Sequence, residues 1–295
     1  MKILFYGSCN ATELIKRDSR GRTPISGLSN EAECVSHQCH SVDLDTAQLD
    51  SDIRTADFIV TQPVGENYRD NYKLSTKYLL ENRKSGTPVV IFPPIRFNAY
   101  YLDYSHLYVD GKVITQPEDM HLMGLYETYK RGGGADEFID SYINNPSLFW
   151  VDKYWSRVRN DIEETAKRER KCEAFAASYE DVTPIKLTYF YRDNHKRIPL
   201  TYTANHPSKY TMTFVADLVC DAIAKKFGDR FGSSYTVDPL ADPFSSDRWI
   251  IYSSIQRCVD FAVALFPPAI RNPDGSEGSI ESLFDRYAQA YQTLC

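Results

Sequence analysis

Short apolar runs that stop abruptly at polar or glycine residues constrain the fold of this chain more than any other feature. They lie at residues 3–6, 56–64 and 88–94. Continuous apolar runs of this length are typical of strands buried on both faces of a parallel sheet. A helical pattern separates the second run from the third, which indicates a right-handed strand–helix–strand crossover. We therefore predict an α/β fold built on a doubly wound, mostly parallel sheet.

Helix start and stop signals place further elements around this sheet. Ser75 precedes a predicted helix over residues 77–84. Ser208 precedes a longer predicted helix over 209–227, which ends at Gly228,. The sequence also predicts a short helix at 11–17, strands at 41–44 and 198–204, and helices at 249–266 and 279–294.

Long helical periods replace the strand pattern from residue 118 onward. The stretch 148–171 mixes apolar and charged residues with the period of an amphipathic helix,. We predict a single α/β domain over residues 1–295. Within it, residues 118–180 form a helical insertion or cap, and residues 229–295 form a helical C-terminal extension.

Charge and composition exclude several classes of protein. A formal net charge of −6 argues against a general nucleic-acid-binding protein, which would carry a basic surplus,. No stretch reaches the ~18 consecutive apolar residues that a membrane-spanning helix needs. The first residues carry too few apolar side chains for a secretory signal peptide. We therefore predict a cytoplasmic protein with no transmembrane segment, and the sequence leaves its oligomeric state open.

Cysteine and histidine cluster in one segment that resembles a metal site at first reading. The ligand types are right at Cys34, His37, Cys39 and His40. A zinc site needs a second well-spaced pair downstream, which the sequence lacks. We expect no metal and interpret the segment as the approach to the strand at 41–44. The seven scattered cysteines are typical of reduced thiols,.

Cys9 follows the first predicted strand in the sequence Gly7-Ser8-Cys9-Asn10. Ligands of open α/β sheets bind at the carboxyl ends of the strands, so this thiol stands where a reactive group is expected. A helix that begins directly after a cysteine favours the thiolate form, which is the nucleophile. The alternative is a small buried residue, because free cysteine is among the most buried types.

His206 is the candidate general base. It lies in Asn205-His206-Pro207, directly before the predicted helix over 209–227, which would anchor its loop. A neighbouring histidine can take the proton of a cysteine nucleophile. The alternative is a loop histidine that hydrogen-bonds the backbone.

Two further groups of side chains are candidates for substrate contacts. Polar groups near strand ends and in the histidine loop can orient an acyl group or donate to an oxyanion: Ser8, Asn10, Gln62 and Asn205,. Cationic residues can contact phosphates: Arg69, Lys73, Arg96 and Lys209,. Each residue also has a simpler interpretation. Each polar residue could instead cap exposed backbone in a loop, and each cationic residue could instead be a charge in contact with solvent.

Three separated segments resemble the WcbI-type acetyltransferases of bacterial capsular polysaccharide biosynthesis. The first is Gly7-Ser8-Cys9-Asn10, the second runs from residue 56 to residue 76, and the third is Asn205-His206-Pro207-Ser208. Their order and spacing agree with that family over roughly the first 230 residues. The resemblance implies binding of coenzyme A and acetyl-coenzyme A, with Cys9 as nucleophile and His206 as its base. The usual family opening is Gly-Asn-Cys-Gln, so this chain differs on both sides of the cysteine.

The arrangement also resembles the SGNH hydrolases, which implies an SGNH- or flavodoxin-like sheet. In that group a serine follows the first strand and a late Asp-x-x-His supplies the base. Here Cys9 stands at the serine position and Thr203 at the aspartate position. The residue that orients His206 is therefore left open.

These resemblances imply an enzyme that transfers an acetyl group from acetyl-coenzyme A to a saccharide hydroxyl in capsular or surface polysaccharide synthesis. Transfer can pass through an acetyl group on Cys9, or it can go directly to the sugar with His206 as base. Two alternatives remain: an SGNH-like thiol esterase or deacetylase, and a non-catalytic protein that binds coenzyme A or a glycan. The sugar and the acyl group are not identified by the sequence.

Overall fold

The computed structural model describes residues 1–28, 32–117, 120–145, 148–228, 236–244, 251–261 and 278–292. The chain divides into two compact units. Unit 1 comprises Met1–Arg96, Ile162–Asn194 and Asn205–Ser245. Unit 2 comprises Phe97–Asp161, His195–Ala204 and Ser246–Cys295. The boundaries predicted for a helical insertion and a C-terminal extension in a single domain stay a prediction.

The strands are short and most of them belong to unit 1. In chain order they are β1 (Lys2–Gly7), β2 (Ile25–Ser26), β3 (Glu33–Gln38), β4 (Phe58–Thr61), β5 (Val89–Ile91), β6 (Tyr104–Ser105), β7 (Leu107–Val109), β8 (Lys112–Ile114), β9 (His121–Leu122), β10 (Val182–Pro184) and β11 (Thr236–Val237).

Five of these strands form the main sheet of unit 1. Their order across the sheet is β10-β5-β4-β1-β3, and every neighbouring pair is parallel. The predicted α/β fold with a mostly parallel sheet is therefore confirmed. The doubly wound and SGNH-like details stay predictions.

Strand β1 lies inside the sheet because its apolar side chains are covered on both faces. Ile3, Leu4 and Phe5 are fully buried. At the carboxyl end, Gly7 lies beside Gln38 of β3, and Tyr6 lies beside Thr61 of β4. The chain leaves β1 toward β3 on one side and returns to β4 on the other. The carboxyl ends of β1 and β4 therefore flank a topological switch point, which is where open α/β sheets bind ligands.

Nine helices are described with these bounds: α1 (Cys9–Thr12), α2 (Thr46–Thr55), α3 (Thr76–Asn82), α4 (Met123–Lys130), α5 (Ala135–Phe138), α6 (Leu148–Ser178), α7 (Thr188–Asn194), α8 (Lys209–Phe227) and α9 (Ile280–Gln292). Short 3₁₀ turns lie at Tyr68–Asp70, Tyr72–Leu74 and Ser253–Cys258, and a π turn lies at Ile139–Ile143. The helix predicted at 209–227 has the predicted bounds, and Gly228 ends it with a φ of 65°.

Several predicted elements differ from the structure. The prediction of a strand at 41–44 is wrong. The strand lies earlier in the chain, over Glu33–Gln38, and is β3. The helix predicted at 11–17 is instead the single turn Cys9–Thr12. The stretch 198–204 forms bends with a single bridge residue at Thr201 rather than an extended strand. The helix predicted at 249–266 lies partly outside the described residues, and its described part contains only the 3₁₀ turn.

Unit 2 is built around aromatic side chains. The Tyr100 hydroxyl donates to the backbone carbonyl of His195 at 2.7 Å. The Tyr154 hydroxyl lies 3.1 Å from Nδ1 of His195, and the rings of Phe97 and Trp155 complete its surroundings. His195 is thereby held as a buried side chain. Within the part of the chain that the structure describes, no helix is both long and apolar enough to cross a membrane.

Candidate active site

The carboxyl end of β1 is shaped by close contact between Gly7 and Gln62. Gly7 has a φ of 146°, which side-chain-bearing residues rarely adopt,. A Cβ atom at this position would lie 3.1 Å from Cβ and 3.2 Å from Oε1 of Gln62. Glycine is therefore required twice here, for its backbone conformation and for the space that Gln62 fills.

Ser8 joins the end of β1 to the end of β4. Its backbone N–H donates to Oε1 of Gln62 at 3.1 Å, and its hydroxyl donates to the same oxygen at 2.5 Å. The Ser8 hydroxyl also accepts from the backbone N–H of Asn10 at 3.3 Å, which caps α1,. Ser8 thus fixes the start of the turn that carries Cys9.

Thr76 holds the backbone on the β4 side of the same point. Its hydroxyl donates to the carbonyl of Gln62 at 3.0 Å and accepts from the N–H of Val64 at 2.8 Å. Gln62 and Thr76 are almost completely buried, so these hydrogen bonds are shielded from water,. The result is a rigid support beneath the candidate nucleophile.

Asn10 connects three segments of unit 1. Its Oδ1 accepts from the backbone N–H of Ile95 at 3.2 Å and from Nε2 of Gln62 at 3.5 Å. Its Nδ2 donates to the backbone carbonyl of Asn205 at 2.9 Å and lies 3.8 Å from Sγ of Cys9. The loop that carries His206 is therefore tied to the residue that follows Cys9.

Cys9 is half-buried at the first residue of α1. Its Sγ lies 3.8 Å from Nδ2 of Asn10, and the carbonyl oxygen of Asn205 lies 2.9 Å from the same nitrogen. The thiol is partly exposed, and an amide donor lies beside it.

A second cysteine and a second histidine follow β3 at the same edge of the sheet. Burial raises the pKa of the Cys39 thiol, and Cys9 raises it further when ionised. Tyr68 hydrogen-bonds this thiol. Burial also lowers the pKa of His40, and the nearby positive charges of Arg69, Lys16 and His206 act in the same direction.

His206 is half-buried and stacks on Phe244. The two ring centroids are 4.7 Å apart and the ring planes differ by 16°. Its charge also acts on His40, so these two histidines share one region of unit 1. The backbone of the preceding residue, Asn205, is fixed by Asn10. The pairing of Cys9 with His206 stays a prediction.

Comparison with known proteins identifies the family. The family model described as the polysaccharide biosynthesis enzyme WcbI matches residues 6–226 of this chain. This chain belongs to the WcbI family. The matched range begins in β1 and reaches the last turn of α8, so it includes the segments that carry Cys9, Gln62 and His206. The predicted resemblance is confirmed, and with it the assignment to a family of polysaccharide biosynthesis enzymes.

A solved structure of WcbI, described as a novel polysaccharide biosynthesis enzyme, has the same fold. It matches with a TM-score of 0.72 and 17% sequence identity, over 99% of this chain and 90% of the WcbI chain. That structure is described as the native protein without a disulfide bond between coenzyme A and one of its cysteines. No curated protein matches the chain.

The four predicted phosphate contacts of this WcbI-family chain lie in different places. Arg69 donates to the backbone carbonyl of Ser41 at 2.8 Å and faces the segment after β3. Lys73 lies near Asp50 of α2, where its charge adds to the hydrogen bonds from Arg54 and Tyr78 that lower the pKa of that carboxyl. Arg96 is exposed, directly after Ile95. Lys209 begins α8, and its Nζ lies 5.2 Å from the centre of the Tyr210 ring.

Two of the metal-type residues of the WcbI-family chain have surroundings that do not involve a metal ligand set. Nε2 of His37 lies 2.6 Å from Oδ2 of Asp52, which also accepts from Lys2. Burial raises the pKa of the Cys34 thiol to about 11. Among the residues that the structure describes, no group of three or more cysteine, histidine or acidic side chains is arranged to hold a metal ion.

Three residues at this edge of the sheet were not selected from the sequence. Thr76 comes directly before the predicted helix over 77–84, and the sequence alone does not show that its hydroxyl supports Gln62. His40 was grouped with the metal-type cluster, and Phe244 lies in a polar, proline-containing stretch. The one available signal is that the segment between Gln62 and Thr76 is short enough to fold back on the end of β4.

Proposed function

We propose that this WcbI-family enzyme transfers an acetyl group from acetyl-coenzyme A to a hydroxyl group of a saccharide in capsular or surface polysaccharide biosynthesis. The observation that carries the proposal is the position of Asn10 between Cys9 and the carbonyl of Asn205. One amide contacts both segments, which supports placing the thiol and the loop before His206 in one site. Membership of a polysaccharide biosynthesis family supports a saccharide acceptor.

Coenzyme A is the proposed donor because the matching WcbI structure is described with reference to a bond between coenzyme A and a cysteine. In this chain Cys9 is the candidate for the equivalent role. It is half-buried, so a ligand thiol can reach it. Arg69, beside the segment after β3, and Lys209, at the start of α8, are the proposed contacts for coenzyme A phosphates.

In the first proposed step, His206 takes the proton of the Cys9 thiol. The thiolate attacks the thioester carbonyl carbon of acetyl-coenzyme A, and the bond to the coenzyme A sulfur breaks. That sulfur leaves with the proton from His206. The products are coenzyme A and an acetyl group on Cys9.

In the second proposed step, His206 takes the proton of a saccharide hydroxyl. The hydroxyl oxygen attacks the acetyl carbonyl carbon on Cys9, and the bond to Sγ breaks. The released Cys9 sulfur recovers the proton from His206. The product is an O-acetylated saccharide. Ser8, Asn10 and Gln62 are the proposed residues that hold Cys9 in place through both steps.

Mass spectrometry of the intact protein tests this function. We expect incubation with acetyl-coenzyme A to add one acetyl group at Cys9, and a saccharide acceptor to remove it. Cys9→Ala should abolish the adduct, and His206→Gln should slow its formation by about 10²-fold or more. Cys34→Ala is the matched control, because Cys34 is another half-buried cysteine, at the amino end of β3 and away from the sheet edge that carries Cys9.

Other outcomes distinguish the alternative functions. Acetyl transfer that survives Cys9→Ala would refute the covalent route and favour direct transfer with His206 as base. Release of acetate in the absence of an acceptor would favour an esterase. Binding of coenzyme A that raises the melting temperature without turnover would favour a non-catalytic binding protein.

A further inference from the structure

Asn10 makes a combination of contacts that goes beyond shaping an oxyanion pocket. Its side chain reaches the thiol before it, the backbone of the loop before His206, and the backbone after β5. Asn10 itself is 2% exposed. A buried amide of this kind is held in one orientation only if its oxygen and nitrogen face partners that cannot exchange roles.

The partners of Asn10 satisfy this condition. The backbone N–H of Ile95 can only donate, so the atom that faces it at 3.2 Å must be the oxygen Oδ1. The backbone carbonyl of Asn205 can only accept, so the atom that faces it at 2.9 Å must be the nitrogen Nδ2. The amide orientation is thus fixed by two backbone groups from separate segments.

Gln62 reinforces the same orientation. Its Oε1 accepts from both the N–H and the hydroxyl of Ser8, so its Nε2 is directed at Oδ1 of Asn10. A rotated Asn10 amide would place two NH₂ groups against each other. The chain of contacts from Ser8 through Gln62 therefore leaves the NH₂ group of Asn10 beside the sulfur of Cys9.

We propose that Asn10 is a positioning residue that donates one hydrogen to the Cys9 thiolate and the other to the Asn205 carbonyl. In this role it stabilises the anionic sulfur and fixes the start of the His206 loop with a single side chain. This role of Asn10 in catalysis rests on the proposed acetyltransferase function. The thiolate contact itself can be tested without any acyl transfer.

The test is the rate at which iodoacetamide alkylates Cys9, followed by peptide mass spectrometry. In this reaction the thiolate displaces iodide, so the rate follows the ionised fraction of the thiol. We expect Asn10→Asp to lower the rate at pH 7 by about tenfold, because a carboxylate cannot donate and repels the thiolate. Asn10→Ala should lower the rate by a smaller factor. At pH 10, where thiols are ionised, both variants should approach the native rate.

The high-pH measurement separates thiolate stabilisation from access to the sulfur. A variant that merely blocks or exposes Cys9 would differ from the native protein by the same factor at every pH. Asn194→Asp is the matched control, because Nδ2 of Asn194 also donates to a backbone carbonyl at 2.9 Å but belongs to α7. Native rates for Asn10→Asp at pH 7 would overturn the proposal.

A second measurement uses the native protein in case the variants fold poorly. The side-chain amide signals of Asn10 in the nuclear magnetic resonance spectrum should move over the pH range in which Cys9 becomes reactive. The same signals should stay constant in Cys9→Ala. Signals that do not respond in the native protein would refute the thiolate contact. An amide response without any acetyl transfer would reject the enzymatic function and retain the contact.

Discussion

At the scale of single residues, the site depends on how closely β1 and β4 approach each other. Gln62 occupies the space that a Cβ atom at Gly7 would need, and Ser8 donates twice to Oε1 of Gln62. Two adjacent residues, the last of β1 and the first of the turn, are thereby fixed by one glutamine. A side chain added at Gly7 would affect both the backbone and this contact.

We expect Gly7→Ala to lower the free energy of unfolding by about 2 kcal/mol, since alanine is strained at a φ of 146° and its Cβ would meet Gln62,. Urea unfolding of the variant and the native protein measures this difference. Gly65→Ala is the control, because a Cβ there meets no atom within 4 Å. Equal losses for the two variants would contradict the role assigned to the close contact.

At the scale of elements, helix α2 is tied to the sheet by one carboxylate. Asp52 accepts from Nζ of Lys2 in β1 at 2.5 Å and lies 2.6 Å from Nε2 of His37 in β3. Burial acts to raise the pKa of Asp52, but the hydrogen bonds from Lys2 and His37 outweigh it and lower the pKa. The carboxylate therefore holds one helix against two strands.

Asp52→Asn should lower the free energy of unfolding at pH 7 by about 2–3 kcal/mol, because Lys2 and His37 lose their anion. The native protein should keep the contribution of Asp52 above the unfolded pKa of about 3.9 and lose it as the pH falls through the lower folded pKa. Urea unfolding at pH 7 and in acid measures both effects. Glu164→Gln is the control, because that exposed pair with Lys167 should contribute little,. If Asp52→Asn lost as much free energy of unfolding in acid as the native protein does, the contribution assigned to Asp52 would be contradicted.

The strands that the sequence predicts correctly are those inside the sheet. β1, β4 and β5 carry continuous apolar runs because both of their faces are covered,. The edge strands β3 and β10 were missed, since partly exposed polar residues interrupt their apolar pattern. An edge strand is recognised by its hydrogen bonds to a neighbouring strand. The local sequence does not show which strand that neighbour is.

The same distinction applies to the site. Cys9, Asn10 and Gln62 could be grouped from sequence because parallel strands place their carboxyl ends at one edge. Phe244 could not be grouped with His206, since it reaches the ring from a segment with no periodic pattern. The tie between Asn10 and Asn205 also depends on a loop path that only the folded chain defines.

At the scale of the whole molecule, unit 1 and unit 2 respond to acid through different groups. In unit 1, hydrogen bonds from Arg22 and from the backbone outweigh burial and lower the pKa of Asp18 to about 2. In unit 2, burial and the charge of Lys196 lower the pKa of His195. The contribution of Asp18 to the free energy of unfolding is lost only in strong acid. The contribution of His195 is lost in mild acid.

We expect His195→Gln to reduce the loss of stability between pH 7 and pH 5. Above an unfolded pKa of about 6.5, His195 is neutral in both states and its packing contributes fully. Below that pH the unfolded chain takes up a proton that the folded protein resists, so the native protein loses stability as the pH falls. Urea unfolding at both pH values measures the difference. The same slope in both proteins would refute the prediction.

The order of strands in the main sheet also bears on the synthesis of the chain. β1, β3, β4 and β5 all lie within residues 1–91, so four neighbouring strands leave the ribosome before the fifth exists. β10 can join β5 only after residues 92–181 have been made. Until then the outer edge of β5 presents unpaired N–H and C=O groups to other nascent chains. The main sheet can therefore be completed only after translation has produced β10.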